Sequence, residues 1–234
     1  MIKILFLAIP DSIDMEVFSA LLSRLSPEKQ SRISRCIREH DRQRALWADV
    51  LVRTTVCSTL GIKNAALVFA KNEFGKPCLE NRPRLHFNVS HSGDVVLCAF
   101  DNKPVGVDVE KIKDRGPEIA QRFFSTMEYD WLMRRNETER TECFFDLWTL
   151  KESYIKALGK GITKGLRSFT IYPEGRDIYV DDEENENARK DFLFRRYHVK
   201  TGFKAAVCAH NSDFPANVTE IRSDDLFREF IERT

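Results

Sequence analysis

The sequence predicts an α+β protein in two halves that meet near Pro104. Three observations carry that reading. Short apolar or alternating runs, at residues 1–9, 95–100 and 106–110, read as strands, and longer stretches of helical spacing lie between them. The order strand, helices, strands occurs twice along the chain, although no residue-by-residue repeat accompanies it. Gly106-Val107-Asp108-Val109-Glu110 opens the second round and alternates apolar with acidic, the pattern of a half-buried strand.

Bulk properties set the limits. A chain of 234 residues can form one large domain or two of ordinary size. Its hydrophobic share of 42% and charged share of 31% are those of a globular protein. A net charge of +1 gives no global field to draw nucleic acid or membrane. No apolar run approaches the roughly 20 residues that span a bilayer, and the N-terminal run is closed by Pro10 and Asp11 too early for a secretory signal. Cys36, Cys57, Cys78, Cys98, Cys143 and Cys208 form no CxxC pair or zinc spacing, so they read as reduced, mostly buried thiols of a cytoplasmic protein.

Taken in order, residues 1–9 form a first strand, and residues 14–25 a helix with Val17, Leu21 and Leu25 on one face. Ser26-Pro27-Glu28-Lys29 starts another helix, with Ser as cap and Pro at the first position. Its basic segment (Lys29, Arg32, Arg35, Arg38, Arg42, Arg44) continues as one long helix to Leu60, where Gly61 ends it. A short strand at 67–69 precedes the turn Glu73-Phe74-Gly75-Lys76-Pro77, which should expose Lys76. Strand, polar turn and strand follow between 87 and 100, and residues 101–104 break the chain. After the 106–110 strand come helices at 117–124 and from Ser125, whose Glu128 completes a capping box. A third helix ends at Leu158 before Gly159 and Gly161. Strands at 168–172, 194–199 and 204–208, an acidic hairpin tip at 181–187 and a terminal helix at 224–233 complete the chain. Trp47 and Trp131 read as packing residues.

Five stretches can carry chemistry. Asp108 and Glu110 project from one strand face roughly 6.5–7 Å apart, and such carboxylates repel unless a cation or proton sits between them. Oxygen ligation of that kind suits Mg²⁺ or Mn²⁺ rather than zinc; a solvated acidic edge fits the pair equally well. Glu152 and Lys156 share a helix face, as an ordinary surface ion pair also would. His91 suits a general base, a phosphate ligand or a plain turn residue, and Lys76 is equally ambiguous alone. The basic segment fits a solvated helix face as well as an anion site.

In combination these stretches are more specific. Phe74-Gly75-Lys76-Pro77, Phe87-Asn88-Val89-Ser90-His91-Ser92, Gly106-Val107-Asp108-Val109-Glu110 and Trp148-Thr149-Leu150-Lys151-Glu152-Ser153-Tyr154-Ile155-Lys156 resemble, in that order, the motifs of the 4′-phosphopantetheinyl transferases, surfactin-synthetase type. The resemblance runs from the first strand almost to Phe214-Pro215. It implies a pseudo-dimer of two similar α/β halves, each a small antiparallel-rich sheet packed with helices, with the active site at the cleft between them. The halves would be residues 1–104, contacting coenzyme A, and 105–215, carrying the metal ligands and the docking surface, with 216–234 as an extension.

The implied reaction moves the 4′-phosphopantetheine arm of coenzyme A to a serine of an apo peptidyl, aryl or acyl carrier domain and releases adenosine 3′,5′-bisphosphate. By resemblance Asp108, Glu110 and Glu152 hold Mg²⁺, or Mn²⁺, and Glu152 is the candidate base. Lys156 and His91, with Ser90, meet substrate phosphate, while Lys29, Arg32, Arg44 and Lys76 match the nucleotide end. Ala45 stands after Arg44 where the family often has a small hydroxylic residue. Carrier docking would involve residues 123–127 and 160–166, with Lys160 and Lys164 steering an acidic partner. The expected enzyme is monomeric and cytoplasmic, without nucleic-acid or membrane partners, and serves non-ribosomal peptide, polyketide or fatty-acid synthases. Two other classes compete: a nucleotide-dependent phosphotransferase, for which the chain has no Gly-x₄-Gly-Lys-Ser/Thr loop, and a non-catalytic module that binds coenzyme A or carrier protein.

Overall fold

Strand β1 (Lys3–Ala8) is apolar on both faces because it lies between two cores: Leu5 and Leu7 enter one, Ile4 and Phe6 the other. The computed structural model describes residues 1–80, 82, 84–174 and 177–234, the side chain of Ile162 excepted. Helices α1 (Met15–Leu22), α2 (Pro27–Ser34) and α3 (Glu39–Leu60) follow β1. Then come the hairpin β2 (Phe69–Lys71) and β3 (Pro77–Leu79), and the hairpin β4 (His86–Ser92) and β5 (Val95–Asp101). The second half begins with β6 (Val105–Lys111) and the helices α4 (Pro117–Phe123), α5 (Thr126–Met133) and α6 (Glu137–Leu158). It continues with β7 (Phe169–Tyr172), β8 (Tyr179–Asp182), α7 (Ala188–Asp191), β9 (Leu193–Tyr197) and β10 (Phe203–Ala209).

The duplication that the sequence only hints at is plain in the topology. Each half runs strand, two short helices, one 22-residue helix, a small hairpin (followed by α7 in the second half), then two antiparallel strands, the second of which pairs antiparallel with the first strand of the half. The sheets β1-β5-β4 and β6-β10-β9 have the same connectivity. Both long helices end at a glycine in the left-handed region, Gly61 and Gly159, which a side chain would strain.

Three cores hold the layers together. One joins α1, α2 and α3 to the first sheet, and another joins α4, α5 and α6 to the second. The third lies between the sheets, where Val95, Leu97 and Ala99 of β5 meet Val105, Val107 and Val109 of β6 and Ala205 and Val207 of β10. The chain end returns to the first half: β11 (Thr219–Ile221) pairs parallel with β1, and α8 (Ser223–Glu232) buries Leu226 and Phe230 in the first core.

Several local expectations are corrected. The basic stretch is not one helix; it breaks at residues 35–38, where Ile37 is 99% exposed and no apolar face is buried to hold the helix. The strand expected at 67–69 lies at Phe69–Lys71, and β3, β8 and α7 lack a clear sequence signal. The acidic run is not a hairpin tip: Asp181 and Asp182 end β8, and Asp182 is buried. All six cysteines are unpaired, but Cys78 is exposed.

At Gly106 the second half is closest-packed. A Cβ there would lie 2.0 Å from the Ser153 carbonyl oxygen and 2.3 Å from the Ala157 nitrogen. Strand β6 and helix α6 therefore touch backbone to backbone, which only glycine permits. Gly106→Ala is expected to cost at least about 1–3 kcal/mol as an overpacking change, lowering Tm by roughly 2–4 °C per kcal/mol in a chain of this size. A thermal melt unchanged from wild type would contradict the contact.

Candidate active site

The alternation of β6 sorts its residues. Val105, Val107 and Val109 enter the core between the sheets, which turns Asp108 and Glu110 to the opposite face, toward α6. Helix α6 brings Glu152 and Lys156, one turn apart, to the same place. The edge strand β4 runs alongside β6, and its polar residues bridge the two halves. Asn88 Oδ1 accepts from the Val107 amide at 2.9 Å. Ser90 Oγ donates to Asp108 Oδ1 at 2.8 Å, and Ser92 Oγ donates to Glu110 Oε2 at 2.7 Å. Ser92 Oγ also accepts from the Lys111 amide at 3.1 Å.

Lys156 stands at the centre, its Nζ 2.6 Å from Asp108 Oδ1 and 2.9 Å from Ser90 Oγ. Asp108 Oδ2 is buried and has no hydrogen-bond partner, although a buried carboxylate oxygen normally has one. Burial, then the charge of Asp108, lifts the Glu152 pKa above its ordinary value, with Lys156 opposing and Glu110 adding. Burial likewise raises Glu110, partly offset by its bond from Ser92, and Asp108 raises it further. Three carboxylates thus lie within electrostatic reach of one another.

This donor set fits a hard divalent cation: its ligating atoms are all oxygens, its charges repel, and one buried oxygen lacks a partner. Among the described residues no three His, Cys, Asp or Glu side chains form a ready cluster for a metal ion; Lys156 and the two serines hold the facing oxygens of Asp108 and Glu110 instead.

The other residues expected at the site divide into two groups. His91 alternates with Ser90 and Ser92 on β4 rather than lying in a turn, and it reaches solvent. The protein packed around it, then Arg44, Lys156 and Arg32, pull its pKa below the ordinary value, so cations of the basic segment and Lys156 of the carboxylate site both reach His91. Arg44 pairs with Asp41 and donates to the Gly93 carbonyl in the β4–β5 turn at 3.3 Å. Arg32 is exposed.

Lys29 and Lys76 are turned elsewhere. Lys29 Nζ lies 2.7 Å from Asp49 Oδ1, in a chain of bonds through Arg53 to Asn64. Lys76 is not the exposed turn residue expected. Its Nζ donates to the carbonyls of Val105 at 3.0 Å and Lys156 at 2.5 Å, and burial lowers its pKa to about 8.

Lys164, expected to steer a partner, is buried against Asp182 at 2.7 Å and Glu184 at 3.0 Å. Lys160 is half-exposed and lies 3.7 Å from Glu184. Met127 is exposed and Phe123 partly so. A groove of about 620 Å³ beside Met127, lined by Arg167, Tyr172, Asp181 and Arg189, holds none of the carboxylate site.

Asn88 and Ser92 join the site without having been assigned a role on sequence grounds, although the alternation Asn88, Ser90, Ser92 on one strand is their signal. Lys151, beside Glu152, is fully buried and bonded to both Glu128 oxygens at 2.5 and 2.7 Å and to the Phe169 carbonyl at 2.9 Å.

Comparison with known proteins follows the same division. Residues 13–103 match the family model described as 4′-phosphopantetheinyl transferase, N-terminal, and residues 104–208 that of the 4′-phosphopantetheinyl transferase superfamily. The 4′-phosphopantetheinyl transferase Sfp of Bacillus subtilis strain 168 is 38% identical over 208 residues, covering 88% of this chain and 91% of its own. The 4′-phosphopantetheinyl transferase ffp of Bacillus subtilis is 39% identical over 92% of this chain and 95% of its own. The 4′-phosphopantetheinyl transferase gsp of Aneurinibacillus migulanus is 35% identical over 100% and 97%.

The raised carboxyl pKa values have a signed consequence. An ionised Glu152 costs stability, and that cost fades as pH falls through its raised pKa toward the ordinary carboxylate value. Glu152→Gln is therefore expected to melt above wild type near neutrality. The gap should narrow as pH falls from neutrality and close near the ordinary glutamate value of about 4.3, as the wild-type carboxyl takes up its proton. Melting curves of both proteins across that range test this; a gap that widens on acidification would reverse the sign.

Proposed function

The chain belongs to the 4′-phosphopantetheinyl transferase superfamily, and we propose that it transfers the 4′-phosphopantetheine arm of coenzyme A to a serine of apo carrier proteins. One observation supports this most: Asp108, Glu110 and Lys156 meet Ser90 and Ser92 at the seam of the halves, within electrostatic reach of Glu152, with Asp108 Oδ2 buried and unpartnered. In the reaction a serine oxygen bonds to the β-phosphorus of the coenzyme pyrophosphate, the bridging P–O bond breaks, and adenosine 3′,5′-bisphosphate leaves. Charge builds on phosphate oxygens, so fixed cations and donors there lower the barrier.

In this reading Asp108, Glu110 and Glu152 would hold Mg²⁺ or Mn²⁺, which when bound supplies charge neutralisation at the pyrophosphate. The raised pKa of Glu152 suits a base for the carrier serine better than an ordinary carboxylate would. Lys156 and Ser90 offer donors to phosphate, and His91, held toward its neutral form, offers one hydrogen bond without a full charge. Arg32 and Arg44, whose charges act on His91, receive the nucleotide phosphates. The carrier domain docks on the second half around Phe123 and Met127, where apolar surface is exposed. The partners are peptidyl, aryl or acyl carrier domains, as in non-ribosomal peptide, polyketide or fatty-acid synthesis. The enzyme works as a monomer, because both halves of the pseudo-dimer are on one chain, and its unpaired cysteines suit the cytoplasm. Among the described residues no helix is long and apolar enough to cross a membrane.

With coenzyme A, Mg²⁺ and an apo carrier protein, mass spectrometry should show the carrier gaining one phosphopantetheine arm. Asp108→Ala and Glu152→Gln should each abolish that gain, and a chelator should do the same reversibly. Near-normal transfer by both variants would sink the assignment of the carboxylates.

A further inference from the structure

The C-terminal end of α6 presents a problem that the first half solves. The last carbonyls of a helix have no partner within it. In α6 the Ile155 carbonyl accepts from the Gly159 amide at 3.0 Å. The Lys156 carbonyl is taken by Lys76 Nζ at 2.5 Å, and the Gly159 carbonyl by Asn72 Nδ2 at 2.9 Å. Both donors come from the turn at residues 72–76, between β2 and β3 of the other half. The same ammonium reaches the Val105 carbonyl at 3.0 Å, immediately before Gly106. It therefore ties the end of α6 to the start of β6.

One amide organises this turn and delivers it. Asn72 Oδ1 accepts from the amides of Phe74 at 3.0 Å and Lys76 at 2.8 Å, and its backbone amide donates to the Lys76 carbonyl at 2.9 Å. Gly75 takes a positive φ of 84°, which the turn requires. The fit against α6 is tight, since a Cβ at Gly159 would lie 3.1 Å from Asn72 Nδ2 and 3.3 Å from Lys76 Cδ. A cation at a helix C-terminus is also favoured by the helix dipole.

We propose that Asn72 and Lys76 are positioning residues: together they cap α6 from the opposite half and hold in place the turn that carries Lys156, with Glu152 one turn before it. Lys76 then acts through helix α6 rather than by binding coenzyme phosphate, the role that the family resemblance gives it. The inference rests on the reading of Glu152 and Lys156 as site residues. It links the two halves mechanically, because the hairpin of one fixes the side chains of the other.

Asn72→Asp isolates the contact. It keeps the oxygen that builds the turn, removes the donor to Gly159, and sets a carboxylate against the negative end of α6. It should lower kcat for carrier modification about three- to tenfold, the scale of one hydrogen bond, with KM for coenzyme A unchanged. Lys76→Met should behave likewise, and Lys76→Arg should recover part of the loss. Hydrogen exchange should quicken at the amides of residues 156–159 in both deficient variants. A raised KM for coenzyme A with kcat kept in Lys76→Met, alongside a silent Asn72→Asp, would return Lys76 to phosphate binding and overturn the proposal. Unchanged exchange at 156–159 would overturn it whatever the kinetics. If instead Glu152→Gln and Lys156→Ala leave turnover intact, the site reading fails, while exchange still decides whether the cap exists.

Discussion

The backbone contact between β6 and α6 at Gly106 is the constraint on which the site depends. A strand and a helix normally keep side chains between them, but here the absent Cβ lets Ser153 and Ala157 approach β6 directly. Asp108 and Glu110 follow two and four residues after that point on the same strand face, and Glu152 and Lys156 flank Ser153 and Ala157 on the helix. The closeness of four charged groups follows from one missing methyl group.

That closeness is electrostatically costly, and the surroundings offset it in a graded way. Ser90, Ser92 and Lys156 satisfy one oxygen of each strand carboxylate, whereas Asp108 Oδ2 is left bare and Glu152 and Glu110 titrate above their ordinary range. Stability alone would have replaced such a group with packed apolar residues. Neighbouring charges that serve only the fold are treated differently. Lys151, next to Glu152, has a fully buried carboxylate partner and a carbonyl, and Glu128 accepts in addition from the amides of Ser125 and Ile171 at 2.8 and 2.7 Å. Removing one member of such a buried pair typically costs about 3–5 kcal/mol. Complete satisfaction marks the scaffold, and incomplete satisfaction marks the place where something else is to bind.

How much of this is legible in the sequence depends on whether a residue's role is local. The β6 alternation and the Glu152–Lys156 spacing are local, so strand face and helix face can be read from residue order alone, and the family follows from the order of the motifs. The capping box at Ser125 and Glu128 is legible for the same reason. Lys76 and Lys164 read as exposed because lysine usually is; Lys164 is buried and Lys76 half-buried, and their partners, Asp182 and the Lys156 carbonyl, lie 18 and 80 residues away. The break in the basic helix is hidden too, since whether Ile37 finds a core is a tertiary matter. The twofold order of elements is visible in the sequence only as a rhythm, because the halves share topology without sharing sequence.

Alignment of the two long helices on their terminal glycines shows what the duplication kept. Eight residues before Gly61 is Arg53, buried and bonded to Asp49 at 2.8 Å; eight before Gly159 is Lys151, buried and bonded to Glu128. The buried cation with its carboxylate is thus common to both halves and belongs to the fold. Seven before the glycine the halves part: Glu152 stands in α6 and Thr54 in α3, where the threonine hydroxyl merely donates to the Val50 carbonyl. Three before it stand Lys156 and Ser58. The strands part in the same way, for β1 puts Leu5 and Leu7 against its helices where β6 puts Asp108 and Glu110. A symmetric pair of halves would offer two equivalent carboxylate seams. This chain keeps one and fills the other position with apolar core, which frees the first half to supply hydroxyls, cations and a helix cap to the seam that remains.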